Sequence, residues 1–168
     1  MMFRSISDFS YTWEPEIERT QKILKHMTNA SMSQTVDKEG RTLGRIAWHL
    51  TTSIPEMMNR TGLKITRPGP EDPVPATARE VFQAYNEAAI ALMSQVQSEW
   101  TDASLDLVDE MYGEHWKRSK TLQVLVFHQI HHRGQMTVLM RQAGLQIPGI
   151  FGPARQEWAQ WGMEPPKV

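Results

Sequence analysis

The segment from Phe127 to Met136, FHQIHHRGQM, contains three of the chain's 6 histidines, at positions 128, 131 and 132. If the segment is helical, His128 and His132 are four residues apart and their rings project from the same face. His131 is turned by about 100° from His132 and points toward the polar side. An i, i+4 pair of imidazoles can bind one divalent metal ion.

The residues around this pair indicate that it faces the protein interior. His128 and His132 fall within or at the edge of the helix's apolar stripe, formed by Leu122, Leu125, Met136, Leu139 and Met140. A buried imidazole nitrogen without a partner costs about 1–3 kcal/mol. Either a metal ion or a set of buried carbonyls and waters could satisfy the two rings, and the helical spacing leaves both interpretations open.

A third imidazole lies far upstream, in the segment GRIAWHLTTSIPEM. His49 stands at the border of an apolar stripe that includes Ile46 and Leu50. In a helical bundle, two helices can face each other across the core and bring such side chains together. We therefore predict a metal site formed by His49, His128 and His132, with Thr52, Ser53 and Glu56 as partners of the ligands or of bound water.

The hydrophobic pattern predicts helices that position these residues. They cover residues 7–29, 42–61, 77–99 and 120–143, with a short helix at 153–161. Thr77 and Glu80 match a capping box, whereas Ser7 or Asp8 is the expected cap of the first helix and Ser119 or Thr121 that of the fourth. Residues 63–76 form a proline-rich loop, and residues 100–118 a loop or irregular extension. The fold class is all-α, a four-helix bundle in a single domain, 1–168.

Composition narrows the classes of function. The 168 residues include no cysteine, which excludes disulfides and a cysteine nucleophile and fits a reducing cytosol. The net charge is −1 and no Lys/Arg block is present, so we expect no nucleic-acid partner. Neither a signal peptide nor a run of about 18 apolar residues is visible. We therefore expect a cytoplasmic protein that does not bind membranes and that acts on a small molecule.

Three segments of the chain resemble the DinB-like family. They are HQIHHRGQM at 128–136, LGRIAWHL at 43–50 and AGLQIPGIFGP at 143–153. The resemblance implies an up-down-down-up four-helix bundle, a homodimer, and a divalent metal held by His49, His128 and His132. The family includes bacillithiol-dependent thiol transferases and mycothiol-dependent isomerases. Within the same motif, we expect Gln135 to hydrogen-bond a ligand or a group that supports the metal ligands, and Arg133 to form a surface ion pair or a dimer contact.

This resemblance implies a metal-dependent transferase that joins a low-molecular-weight thiol to an electrophilic small molecule. A metal-dependent hydrolase and a non-catalytic metal-binding stress-response protein are the alternatives. Imidazole ligands suit Zn, Ni, Cu and Fe, so the ligand set does not identify the metal. No catalytic or cofactor-binding residue beyond the three histidines is assigned by the sequence.

Overall fold

The computed structural model describes residues 3–66 and 72–167. Within them the chain is mostly helical, and four long helices account for most of the fold: α1 (Ile6–Lys25), α2 (Leu43–Met58), α3 (Ala78–Glu99) and α4 (Arg118–Gln142). Short 3-10 helices cover Ala30–Ser33, Asn59–Thr61, Asp102–Asp106 and Arg155–Trp161. The four long helices and the short C-terminal one lie where the sequence predicted them.

The N-terminal caps of α1 and α4 differ from the predicted ones, whereas that of α3 does not. Ser5, and not Ser7 or Asp8, caps α1: its hydroxyl accepts the Asp8 N–H, and the Asp8 carboxylate accepts the Ser5 N–H in return. Asp8 is thus the third helical residue and not the cap, and the helix continues through Pro15. The capping box of Thr77 and Glu80 is confirmed. The expected cap at Ser119 or Thr121 is wrong, because Lys117 precedes α4 and provides no side-chain cap.

A small antiparallel hairpin is the main departure from the all-α expectation. Strands β1 (Val108–Met111) and β2 (Glu114–Lys117) pair across a two-residue turn, with Met111 opposite Glu114. Tyr112 and Gly113 both adopt positive φ, of 58° and 82°, as a primed hairpin turn requires. β2 leads directly into α4, so the hairpin occupies much of the region that was expected to be irregular. Of the proline-rich loop, residues 67–71 lie outside the described residues.

Each of the four long helices packs against two of the others. α2 contacts α3 and α4, and α1 packs against the same two helices. One hydrophobic cluster joins all four, including Trp13 of α1, Leu50 of α2, Leu92 of α3 and Leu125 of α4. In the described ranges, every helix is too short or too polar to traverse a lipid bilayer.

Candidate metal centre

His49 is carried by a helix whose start is fixed by a local cap. The Thr42 hydroxyl accepts the Arg45 N–H at 3.1 Å and so fixes the first turn of α2. His49 lies about two turns further on and is half-buried, on a helix whose other residues are mostly buried. The cap and the packing therefore hold the His49 ring against α4.

The three predicted histidines come together between α2 and α4. His49 Nε2 and His128 Nε2 are 3.1 Å apart, and His132 Nε2 and His128 Nε2 are also 3.1 Å apart. One ring nitrogen of each histidine lies within 4.8 Å of the others. Tetrahedral zinc-to-nitrogen bonds of about 2.0–2.1 Å place neighbouring ligand nitrogens roughly 3.3–3.4 Å apart, close to the distances seen here. The spacing therefore fits a divalent ion among the three rings.

Gln135 determines which nitrogen of His132 can bind a cation. Gln135 Oε1 lies 2.7 Å from His132 Nδ1. A carbonyl oxygen only accepts, so the hydrogen is on Nδ1 and the lone pair is on Nε2, which faces the other two rings. A hydrogen bond of this kind is the usual support of a metal-binding histidine, so the partner of Gln135 is His132 itself and not a ligand or a group behind the histidines. His128 Nδ1 is buried and, among the described residues, has no hydrogen-bond partner.

The surroundings keep the rings neutral. Burial, followed by the charge of His132, lowers the pKa of His49 to about 4, and burial with the neighbouring histidines lowers the pKa of His128 to about 4. Burial also lowers the pKa of His132, although the bond to Gln135 opposes this shift. At neutral pH the three imidazoles are therefore uncharged, and each keeps one ring nitrogen with a lone pair that can bind a cation.

Gln129 sets the register of the two helices at this point. Its amide Nε2 donates to the carbonyl of Leu50 at 2.8 Å and to Ser53 Oγ at 3.4 Å, and the side chain is fully buried. Gln129 follows His128 and Leu50 follows His49, so the bond joins α2 and α4 one residue away from two of the converging rings. Gln129 was not among the residues predicted to belong to the site. The sequence signal that could have identified it is its spacing, since Gln129 follows the apolar residues Leu125 and Val126 by four and three positions and so lies on the same helix face.

An open cleft of about 570 Å³ reaches the site at His132. His132 and Gln135 lie on its wall, together with Val36, Asp37, Gly40, Arg41, Ile46, Val138 and Leu139. The cleft is formed by α4, the first half of α2 and the loop that precedes α2. A small molecule bound there would contact His132 directly.

The hydrogen bonds of the other candidate partners on α2 go to groups other than the three rings. The hydroxyl of Thr52 donates to the His49 carbonyl at 3.4 Å and that of Ser53 to the Leu50 carbonyl at 3.0 Å. Glu56 Oε2 accepts the Tyr112 hydroxyl of the hairpin turn at 2.6 Å. The carboxylate of Glu56 is therefore bound by the hairpin, an element that the sequence pattern did not predict.

Arg133 has a different environment from the one expected. Its guanidinium is 3 % exposed and donates to Glu16 Oε2 at 2.5 Å and to Thr20 Oγ1 at 3.0 Å. Glu16 is equally buried and also accepts from Arg19 at 2.6 Å. The expectation of a surface ion pair or dimer contact is thus wrong, because this side of α4 packs against α1. His131, as expected, is exposed.

Comparison with known proteins agrees with the fold and the motif. The model of the DinB family matches residues 2–163. The chain belongs to the DinB family. It is 41 % identical over 167 residues to YrdA of Bacillus subtilis, covering 99 % of this chain and 100 % of YrdA.

Two solved structures are similar. A DinB-like protein from Bacillus cereus superposes with a TM-score of 0.86 at 43 % identity, covering 89 % of this chain and 100 % of that chain. The DinB-like protein YjoA from Bacillus subtilis has a TM-score of 0.65 at 15 % identity, covering 84 % of this chain and 96 % of that one. This second likeness concerns the fold alone.

Proposed function

We propose that this DinB-family protein binds a divalent metal ion through His49, His128 and His132, and that it transfers a low-molecular-weight thiol to an electrophilic small molecule. The observation that carries the proposal is the convergence of three imidazole nitrogens, 3.1 Å apart in two of the pairs, beside an open cleft. Three protein ligands leave a coordination position for a further ligand, whereas structural sites are usually closed by four. Zn, Ni and Fe are all compatible with this ligand set.

The residues of the cleft have separate roles in this scheme. His49, His128 and His132 would hold the ion, which would lower the pKa of a bound thiol and so supply a nucleophilic sulfur. Neutral imidazoles preserve the positive charge of the site, and Gln135 orients His132 toward the converging nitrogens. Ile46, Val138 and Leu139 provide an apolar surface for the electrophile. The chain has no cysteine, so the sulfur comes from a small molecule.

A non-catalytic metal-binding protein is the second candidate. It is favoured by the division of the ligands between α2 and α4, because an ion there would also link the two helices. In either case we infer a cytoplasmic homodimer of single-domain chains with the up-down-down-up order of the family and a small-molecule ligand. The long connections between α1 and α2 and between α2 and α3 are compatible with that order.

Elemental analysis of the purified protein tests the metal site. We expect about one transition-metal ion per chain in the wild type and none in His49→Ala. His131→Ala is the matched control, since His131 is an exposed neighbour of His132, and it should retain the ion. Wild-type protein that remains metal-free after incubation with Zn²⁺, Ni²⁺ and Fe²⁺ would contradict the proposal.

Turnover separates the two candidate functions. The metal-loaded protein is incubated with a panel of thiols and 1-chloro-2,4-dinitrobenzene, and the conjugate is measured by absorbance. Conjugation that His128→Ala abolishes and His131→Ala retains supports the transferase. A loaded protein that conjugates no thiol, and whose melting temperature falls by many degrees when a chelator removes the ion, supports the non-catalytic candidate.

A further inference from the structure

The wall of the cleft beside His132 combines an aliphatic surface with one unpaired cation. Val36, Ile46, Val138 and Leu139 form the aliphatic part. Within residues 3–66 and 72–167, Arg41 makes no hydrogen bond or ion pair, and it is exposed in the cleft. The other charged side chain of the wall, Asp37, accepts the Glu39 N–H with Oδ1 at 2.9 Å. The guanidinium of Arg41 is thus available to a ligand.

The backbone holds Arg41 close to the three histidines. Arg41 immediately precedes the capping residue Thr42, and the next residue, Leu43, donates its N–H to the Gln34 carbonyl at 2.8 Å. These bonds anchor the loop to the start of α2. Arg41 and His132 both line the cleft. The guanidinium is therefore placed to contact a ligand that also reaches His132.

We propose that Arg41 determines substrate specificity by binding the carboxylate of an anionic thiol whose sulfur approaches His49, His128 and His132. A guanidinium forms a two-point, charge-assisted pair with a carboxylate. The aliphatic wall covers the carbon chain between the carboxylate and the sulfur. The inference rests on the proposed function, since it assumes that the thiol binds at the histidine site.

The test measures thiol binding without turnover. Protein loaded with Co²⁺ is titrated with 4-mercaptobutyrate and with its neutral amide, 4-mercaptobutanamide, and the sulfur-to-cobalt absorption band gives the dissociation constants. The two thiols differ in the charge of one group. The variants are Arg41→Gln, Arg41→Lys and Lys38→Gln. Lys38 is an exposed residue of the same loop that does not line the cleft, so its substitution removes the same charge at a control position.

We expect the wild type to prefer the carboxylate thiol and Arg41→Gln to weaken its binding by roughly five- to tenfold. Binding of the amide should change less than twofold. Arg41→Lys should keep part of the preference, and Lys38→Gln should keep all of it. Equal binding of both thiols by the wild type, or an equal loss in Lys38→Gln and Arg41→Gln, would overturn the role of Arg41 while leaving the metal site intact. If Co²⁺ itself does not bind, the proposed function fails as well.

Discussion

Gln135 controls the chemistry of a neighbouring ring while being itself exposed. Its oxygen holds the hydrogen of His132 on Nδ1, so Nε2 keeps its lone pair for a cation. A variant without the amide would leave His132 free to change tautomer or to rotate away from His49 and His128. Loss of the Gln135 side chain should therefore lower metal affinity without disturbing the hydrophobic core, to which it does not belong.

The substitution Gln135→Leu should lower metal affinity about 10- to 100-fold, because the supporting hydrogen bond is lost. Competition with a chromogenic chelator measures the effect. Gln142→Leu is the matched control, since Gln142 is an exposed residue of the same helix outside the cleft, and it should leave the affinity unchanged. Equal affinities of wild type and Gln135→Leu would show that His132 does not need this support.

Individual site residues could be predicted from helical spacing, but their distant partners could not. A rotation of about 100° per residue was enough to separate His128 and His132 from His131. The partner of Arg133 is Glu16, 117 positions away in the sequence, and no local pattern relates the two. Gln129 was missed for the same reason, since its acceptor, the Leu50 carbonyl, is 79 positions away.

Among the secondary structure elements, the hairpin was hard to recognise because each of its strands has only four residues. Its turn is Tyr-Gly and not Asn-Gly or Asp-Gly, the strongest sequence signals of a primed turn. Tyr112 nevertheless adopts a φ of 58°, and its hydroxyl donates to Glu56. The helices were predicted well, by contrast, because the caps at Thr42 and Thr77 and the apolar stripes are local features.

Two glycine substitutions isolate the backbone requirement of the turn. A Cβ added at Gly113 or at Gly134 meets nothing within 4 Å, but only Gly113 has a positive φ, of 82°. We expect Gly113→Ala to lower the free energy of unfolding by about 1–2 kcal/mol through left-handed strain. Gly134→Ala should raise it by up to about 1 kcal/mol, because alanine favours the helix. Urea denaturation measures both, and changes of the same sign would contradict the assigned turn.

At the scale of the whole molecule, α1 and α4 are joined by a buried ion pair. Glu16 and Arg133 are 3 % and 2 % exposed, and Thr20 and Arg19 complete their hydrogen bonds. Removing one partner of such a pair leaves the other charge buried and unpaired. Arg133 thus anchors α4 to α1. The candidate metal ligands of α4 lie on another side of the helix, which faces α2.

Replacing one partner of this pair should lower the free energy of unfolding much more than replacing both. Arg133→Met should lower the free energy of unfolding by about 3–5 kcal/mol, whereas Glu16→Leu combined with Arg133→Met should recover most of the loss. Chemical denaturation of the single and double variants measures the coupling. Additive losses in the double variant would show that the pair is not energetically coupled.

The three candidate metal ligands lie on two helices, His49 on α2 and His128 and His132 on α4. This arrangement has a consequence for biosynthesis. His49 is synthesised 79 residues before His128, so a ribosome-bound chain exposes one imidazole long before the other two. The pair on α4 keeps its spacing as soon as that helix forms, but the third ring reaches it only after α2 has docked. If the three histidines bind a cation as proposed, the ion would be bound only after both halves of the chain have folded together, and a filled site would report correct packing of α2 against α4.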